Sequence, residues 1–393
     1  MLKAIKHEQP DRVPIDFGGM RSTTIMAVGY NKLKEYLGID TGQTLVYDTM
    51  QMLAEIEKPI LDRFQIDVVD ALNTFGRHPE RWYPWKLQDG SQAYLPVGFE
   101  PQDDGYGGYL IKDNDGNVLM ESPQGCLYFN PVFHPMAHLT TISELEDYNF
   151  GLISNETLDR LHETAKWTYE NTEYAIMAGF GGNILESGQN LRGWDQFMVD
   201  MAGDPEFTHV MLDRLADSHI ENLKRFLEAV GPYVQLIQMG DDLGTQSAPQ
   251  LSVNMYREFI KPRHKRVYDY VKQNSDIHVF LHSCGSIYDL IPDLIDAGVE
   301  VLNPVQTSAA NMDPRKLKDE FGDKLTFWGG GCDTQTILPN AKPEEIRKHV
   351  KERMEIFKPG GGFIFNQVHN VQANVAPENI IAMFDAAYEF GWY

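Results

Sequence analysis

The feature that most constrains this chain is an order repeated eight times: a short apolar run, then a helix-forming stretch. The runs are 13–19 (VPIDFGG), 66–73 (IDVVDALN), 174–182 (YAIMAGFGG), 234–242 (VQLIQMGDD), 276–285 (DIHVFLHSCG), 299–306 (VEVLNPVQ), 324–331 (KLTFWGGG) and 361–370 (GGFIFNQVHN). None alternates cleanly between polar and apolar residues, so each reads as a strand buried on both faces. Helical stretches fall near 30–38, 50–64, 155–172, 186–201, 204–231, 252–273, 287–297, 313–321, 343–358 and 377–390. Strand–helix alternation of this kind predicts a parallel α/β fold, and eight units predict a (β/α)8 TIM barrel formed by residues 1–393 as one domain. An open doubly wound sheet is the second choice. Residues 81–135 break the rhythm with Asp-Gly and Asn-Gly turns between aromatic and polar residues, which predicts a β-hairpin-rich insertion after strand two.

Charge narrows the partners. The chain carries 57 acidic and 34 basic residues, a formal charge of −23. Nucleic acid is excluded as an expected partner, because phosphate neutralisation needs clustered Lys and Arg. No run reaches the roughly 18–20 apolar residues of a membrane span, and the first residues lack a signal-peptide core, so a cytoplasmic protein is expected. The outer helices of such a barrel also offer surfaces for homo-oligomer formation. Three cysteines, at 126, 284 and 332, are too few for a disulfide framework.

In a barrel of this type, function sits where the strands end at their carboxyl termini. Those ends carry Asp16, Asn73, Asn183, Glu186, Asp241, Asp242, His282, Cys284, Asn303, Gln306, Cys332, Asp333, Asn366, Gln367 and His369. The expected metal site is zinc held by His282, Cys284 and Cys332, since thiolate and imidazole donors suit Zn2+. Three protein ligands leave a fourth position for a carboxylate, water or substrate. Glu186, Asp241 and Asp242 are the candidates for that place, for catalytic acid/base work, or for orienting the ligands. Adjacent strand residues point to opposite faces, so one of Asp241 and Asp242 is expected to cap or to form a salt bridge. The alternative is that Cys284 and Cys332 are core filler, the common role of a buried cysteine. Cys126, His134, His138, His264 and His278 lack a partner at ligand spacing and read as structural or solvated. Asn183, Asn303 and Asn366 are candidates for substrate binding. The aromatic residues Trp82, Tyr83, Trp85, Tyr106 and Tyr109 read as a cross-strand hairpin core or as a cover for the mouth.

The segments HEQPDRVPIDFGG, HSCG, DAGVEVLNPVQ, MDPRKLKDEFGDKLTFWGGGCDTQTILP and KPGGGFIFNQVHNVQANVAPENIIAMFDAA resemble the uroporphyrinogen decarboxylase superfamily. The resemblance implies a (β/α)8 barrel and spans the chain outside 81–135. True decarboxylases carry a Met-Arg-Gln-Ala-Gly-Arg segment after strand one, whereas this chain reads FGGMRSTTIMAVG and keeps only Arg21. The likeness therefore points to the corrinoid-dependent methyltransferase branch, with His282, Cys284 and Cys332 as zinc ligands. GGGCDTQ stands where methylcobalamin:coenzyme M methyltransferases carry a Gly-Asn-Val-Asp type segment. That difference implies a demethylase that passes methyl from a methoxylated, aromatic small-molecule donor to cob(I)alamin. The chain has no Asp-x-His-x-x-Gly signature, so the cobalamin would be carried by a separate corrinoid protein. The alternatives are a thiol methyltransferase of the coenzyme M type, a decarboxylase, and a non-catalytic barrel with structural zinc.

Overall fold

The computed structural model describes residues 1–393. Seven parallel strands run side by side in chain order: Val68–Asp70, Ala175–Gly181, Leu236–Gly240, His278–His282, Val301–Asn303, Thr326–Trp328 and Phe363–Ile364. Residues 15 and 16 meet both edges of this sheet, Ile15 pairing in parallel with Phe365 and Asp16 with Val68. The Asp16 N–H donates to the Phe365 carbonyl at 2.8 Å, and the Asp67 N–H donates to the Ile15 carbonyl at 2.9 Å. The result is a curled parallel sheet wrapped in helices, a TIM-barrel-like α/β fold. The expected first strand, 13–19, is reduced to those two bridges. Pro14 has no N–H to give, and the chain turns away at Gly18, whose φ is +93°.

Side chains from each strand fill the curl. Val68, Met177, Leu236, Phe280, Val301, Trp328 and Ile364 form one buried cluster with Met20, Ala4 and Ile5. The short helix Leu2–Ile5 thus plugs the amino-terminal end. It is pinned by the Gly362 N–H on the Ala4 carbonyl (3.0 Å) and the Thr326 hydroxyl on the Ile5 carbonyl (3.2 Å). A larger apolar cluster lies between sheet and helices. Pro205–Val230 shows how such a helix forms: the Asp204 carboxylate accepts the Phe207 N–H at 3.1 Å, Pro205 opens the first turn, and Phe207, Met211, Leu215, Leu223 and Phe226 line the buried stripe.

One helical expectation is corrected and another gains a local detail. The 50–64 stretch becomes helical only at Lys58–Arg63, where Pro59 sets the start. Before it, Leu53–Ala54 pairs antiparallel with Ile25–Met26 and with Val46–Asp48. The 252–273 stretch contains a π-turn, Tyr256–Ile260, ahead of the helix Lys261–Asn274. Between Trp82 and Pro131 the chain makes antiparallel pairs, Trp82–Lys86 with Gln92–Pro96, and Tyr109–Lys112 with Val118–Ser122. No helix is long and apolar enough to cross a membrane.

Candidate metal centre at the mouth of the sheet

His282 is the last residue of its strand, and its Nδ1 lies 2.6 Å from Asn303 Oδ1 on the next strand. An amide oxygen only accepts, so Nδ1 carries the proton and the Nε2 lone pair is left free. That Nε2 lies 3.4 Å from the Cys284 sulfur. His369, past the last strand, brings its ring centroid to 5.7 Å from that of His282. Ligand atoms of His282, Cys284 and His369 all lie within 4.8 Å of one another. Gly285 makes the turn after Cys284 at φ +88°, and a Cβ there would meet the Gly244 backbone at 2.5 Å. Its N–H donates to Gln306 Oε1 at 2.7 Å, which fixes the turn from the neighbouring stave.

The electrostatics suit a cation. Burial lowers the affinity of His282 for a proton, and burial with His282 nearby lowers the His369 pKa to about 4. Both rings are therefore neutral donors at physiological pH. Burial, reinforced by Asp242, pushes the Cys284 thiol well above its ordinary value. A bare thiol there stays protonated, and a bound divalent cation is what would let it ionise. Two neutral imidazoles and one thiolate are donors that fit Zn2+ and leave one tetrahedral position open.

The carboxylates divide the remaining work. Asp242 Oδ1 accepts the Cys284 N–H at 2.7 Å and stands 3.9 Å from His282 Nε2. Glu186 Oε2 accepts the Asp242 N–H at 2.9 Å and an Asn183 amide proton at 2.5 Å. Burial, with Asp242 and Asp241 adding repulsion, raises the Glu186 carboxyl to about 7. Asp241 is the member of the adjacent pair that caps. It is fully buried and accepts the N–H groups of Ile184 (3.1 Å), Leu185 (2.8 Å) and Glu186 (2.9 Å), capping the helix Leu185–Arg192.

Cys332 lies outside the group formed by His282, Cys284 and His369. Its side chain is fully buried in the apolar cluster between sheet and helices, with Arg353 of the outer helix Pro343–Phe357 as its nearby cation, and burial pushes the thiol far up. The cause is local: Gly329 and Gly330 take φ of +92° and +74°, which breaks the in–out alternation before Cys332. His369, by contrast, was visible at the mouth but lacked a near neighbour at ligand spacing. Asn303 is committed to His282, to the Trp328 carbonyl (2.9 Å) and to Asn366 Oδ1 (3.3 Å). Asn366 keeps a buried amide nitrogen without a partner. Within residues 81–135, Trp85 packs edge-on against Tyr109 at 5.5 Å, while Tyr106 is exposed. Tyr128, in the same segment, donates its hydroxyl proton to Gln372 Oε1 at 2.7 Å, past the last strand.

Three comparisons bear on this arrangement. A family model described as uroporphyrinogen decarboxylase (URO-D) matches residues 125–390, more than half of the chain. The uroporphyrinogen decarboxylase of Magnetococcus marinus is 26% identical over 194 residues, covering 48% of this chain and 49% of that protein. That of Aliivibrio salmonicida is 25% identical over 224 residues, covering 54% of this chain and 59% of that protein. The chain thus spans between half and three fifths of the length of these curated relatives. A solved structure of a methyltransferase from Methanosarcina mazei superposes with a TM-score of 0.62 over 99% of this chain and 97% of that one, at 19% identity, a likeness of fold. The chain belongs to the uroporphyrinogen decarboxylase family.

Proposed function

We propose that this chain is a zinc-dependent methyltransferase that moves a methyl group from a methoxylated, aromatic substrate to cob(I)alamin on a separate corrinoid protein. It is read as a (β/α)8 barrel of residues 1–393 with 81–135 as an insertion beside the mouth. The observation that carries the reading is the donor set of His282, Cys284 and His369 at the carboxyl ends of the strands. One thiolate and two neutral imidazoles would leave a bound Zn2+ with a formal charge of +1, whereas two thiolates would cancel it. A net positive centre favours Lewis-acid work on an ether oxygen over storage of a substrate thiolate.

Bound Zn2+ would supply polarisation of the ether oxygen as the carbon–oxygen bond breaks and that oxygen keeps the electron pair. The protein's own residues do the rest. Asn303 holds the His282 tautomer, and Asp242 fixes the Cys284 backbone. Glu186, titrating near neutrality, is suited to fill the fourth position or to give its proton to the departing phenolate oxygen. Asn183 holds Glu186, and the free amide nitrogen of Asn366 is suited to a substrate oxygen.

Decarboxylation of a polycarboxylate is disfavoured by the same residues. Arg21 is engaged with Asp48 at 3.3 Å, and the mouth adds the buried acids Asp16 and Asp70. A substrate rich in carboxylates would meet buried acids and an arginine already paired there, not an arginine clamp. The deciding experiment is metal analysis of the purified protein, then a screen of methoxyarenes, methanol, methylamines and thiols with cob(I)alamin or methylcobalamin, followed by corrinoid absorbance. About one zinc per chain and methylation by a methoxyarene are expected. A metal-free protein that decarboxylates a porphyrinogen would overturn the reading.

A further inference from the structure

A fully buried polar chain ends on the capping carboxylate of Asp241, and its other two members have no part in the roles above. Tyr256, His264 and Asp241 have no exposed surface in the protein. The Tyr256 hydroxyl is 3.2 Å from His264 Nδ1, and His264 Nε2 is 2.9 Å from Asp241 Oδ2. A neutral imidazole with its proton on Nε2 satisfies both contacts, accepting from the tyrosine and donating to the carboxylate. Tyr268 stacks on the ring at 5.2 Å and 19°, which leaves it little freedom to turn. Tyr256 opens the π-turn Tyr256–Ile260, a local widening that aims its hydroxyl at a residue eight further on.

Asp241 is where this chain meets the site. Its backbone N–H donates to the His282 carbonyl at 3.0 Å, and its carboxylate holds the first turn of Leu185–Arg192, which carries Glu186. Glu186 in turn holds the Asp242 N–H, and Asp242 holds the Cys284 N–H. A shift of Asp241 therefore moves a histidine ligand by one route and a cysteine ligand by another.

We propose that His264 is a positioning residue for the metal centre, acting through Asp241 on both His282 and Cys284. The proposal rests on the zinc reading above. It also explains why polar groups are kept here at the cost of burying them, since an apolar residue would leave Asp241 short of a donor.

The test compares His264→Leu with His264→Gln, whose amide nitrogen can reach the place of Nε2. Metal affinity is read by competition with a chromogenic zinc chelator. Ligand geometry is read from the thiolate-to-cobalt absorption of the Co2+-substituted protein. His264→Leu is expected to lose roughly 10- to 100-fold in affinity and to shift the cobalt bands, and His264→Gln to recover most of both. Tyr256→Phe, which leaves the ring in place, covers the case in which His264→Leu does not fold; a smaller loss and a smaller band shift are expected. Unchanged affinity and spectrum in a folded His264→Leu overturn the proposal, and if that variant does not fold, the same result in Tyr256→Phe does so. Equal losses in the Leu and Gln variants also overturn it. A wild-type chain that takes up no metal fails earlier and overturns the zinc reading itself.

Discussion

At the scale of single residues, the two histidines and two cysteines separate by where their side chains point. Cys284→Ala and His369→Ala are each expected to leave the purified protein with less than about a fifth of the wild-type zinc, because each removes one of three protein donors. Cys332→Ala is expected to keep the zinc and to cost about 1–2 kcal/mol of stability, as a small deletion in a packed core does. Zinc lost from Cys332→Ala but kept in His369→Ala would reverse the assignment. His282 and Cys284 were legible because they stand two residues apart at a strand's end. His369 was legible as a mouth residue but not as a ligand, because it follows another strand far along the chain and only the curl of the sheet brings it near. Cys332 stands apart from that group because two left-handed glycines before it turn its side chain into the apolar layer, and a string of glycines does not state its φ angles. Three other buried acids set a pH dependence: burial raises Asp16, Asp70 and Glu55 to about 7 each. Between about pH 4 and 7 the folded chain holds protons that the unfolded chain has released, so these groups make stability fall as pH rises across that window. Asp70→Asn is expected to raise Tm at pH 8 and to flatten that slope by at most about 1.4 kcal/mol per pH unit. An unchanged slope in urea titrations from pH 5 to 8 would contradict this.

Among elements, those with strong local patterns were read nearly to the residue. Asn155–Asn171, Pro205–Val230, Pro343–Phe357 and Pro377–Phe390 start at caps or prolines and bury one stripe each. The elements that sequence reading misplaced are set by distant partners. Leu53–Ala54 is extended because two other short strands pair with it, and residues 15–16 make only bridges because the strands beside them determine where they can join. The helix Leu2–Ile5 was not foreseen either, being one turn long and stabilised by what it plugs. Its weight is testable: Ile5→Ala is expected to cost about 2–4 kcal/mol, the range for truncating a buried aliphatic side chain, read as a lower urea midpoint with an unchanged m-value. A loss below about 0.5 kcal/mol would show that the plug is dispensable, since that is the range of surface substitutions.

For the molecule as a whole, the acidic balance, the apolar core and the curled barrel-like sheet were legible from composition and pattern, whereas the thinness of the join at residues 15–16 was not. Around the ring, His282 and His369 stand three staves apart, and the stave before His369 adjoins the seam where residues 15–16 join the two edges. An ion shared by those histidines would therefore act as a tie-rod across the mouth, loaded against the opening of that seam. Amide exchange should register it. The Asp16, Asp67 and Phe365 amides, which donate across the seam, are expected to exchange more slowly in the zinc-loaded protein than after chelation. Amides of the Leu236–Gly240 strand, far from the seam, should be indifferent. The weakest join of the wall would then be the one that the metal guards.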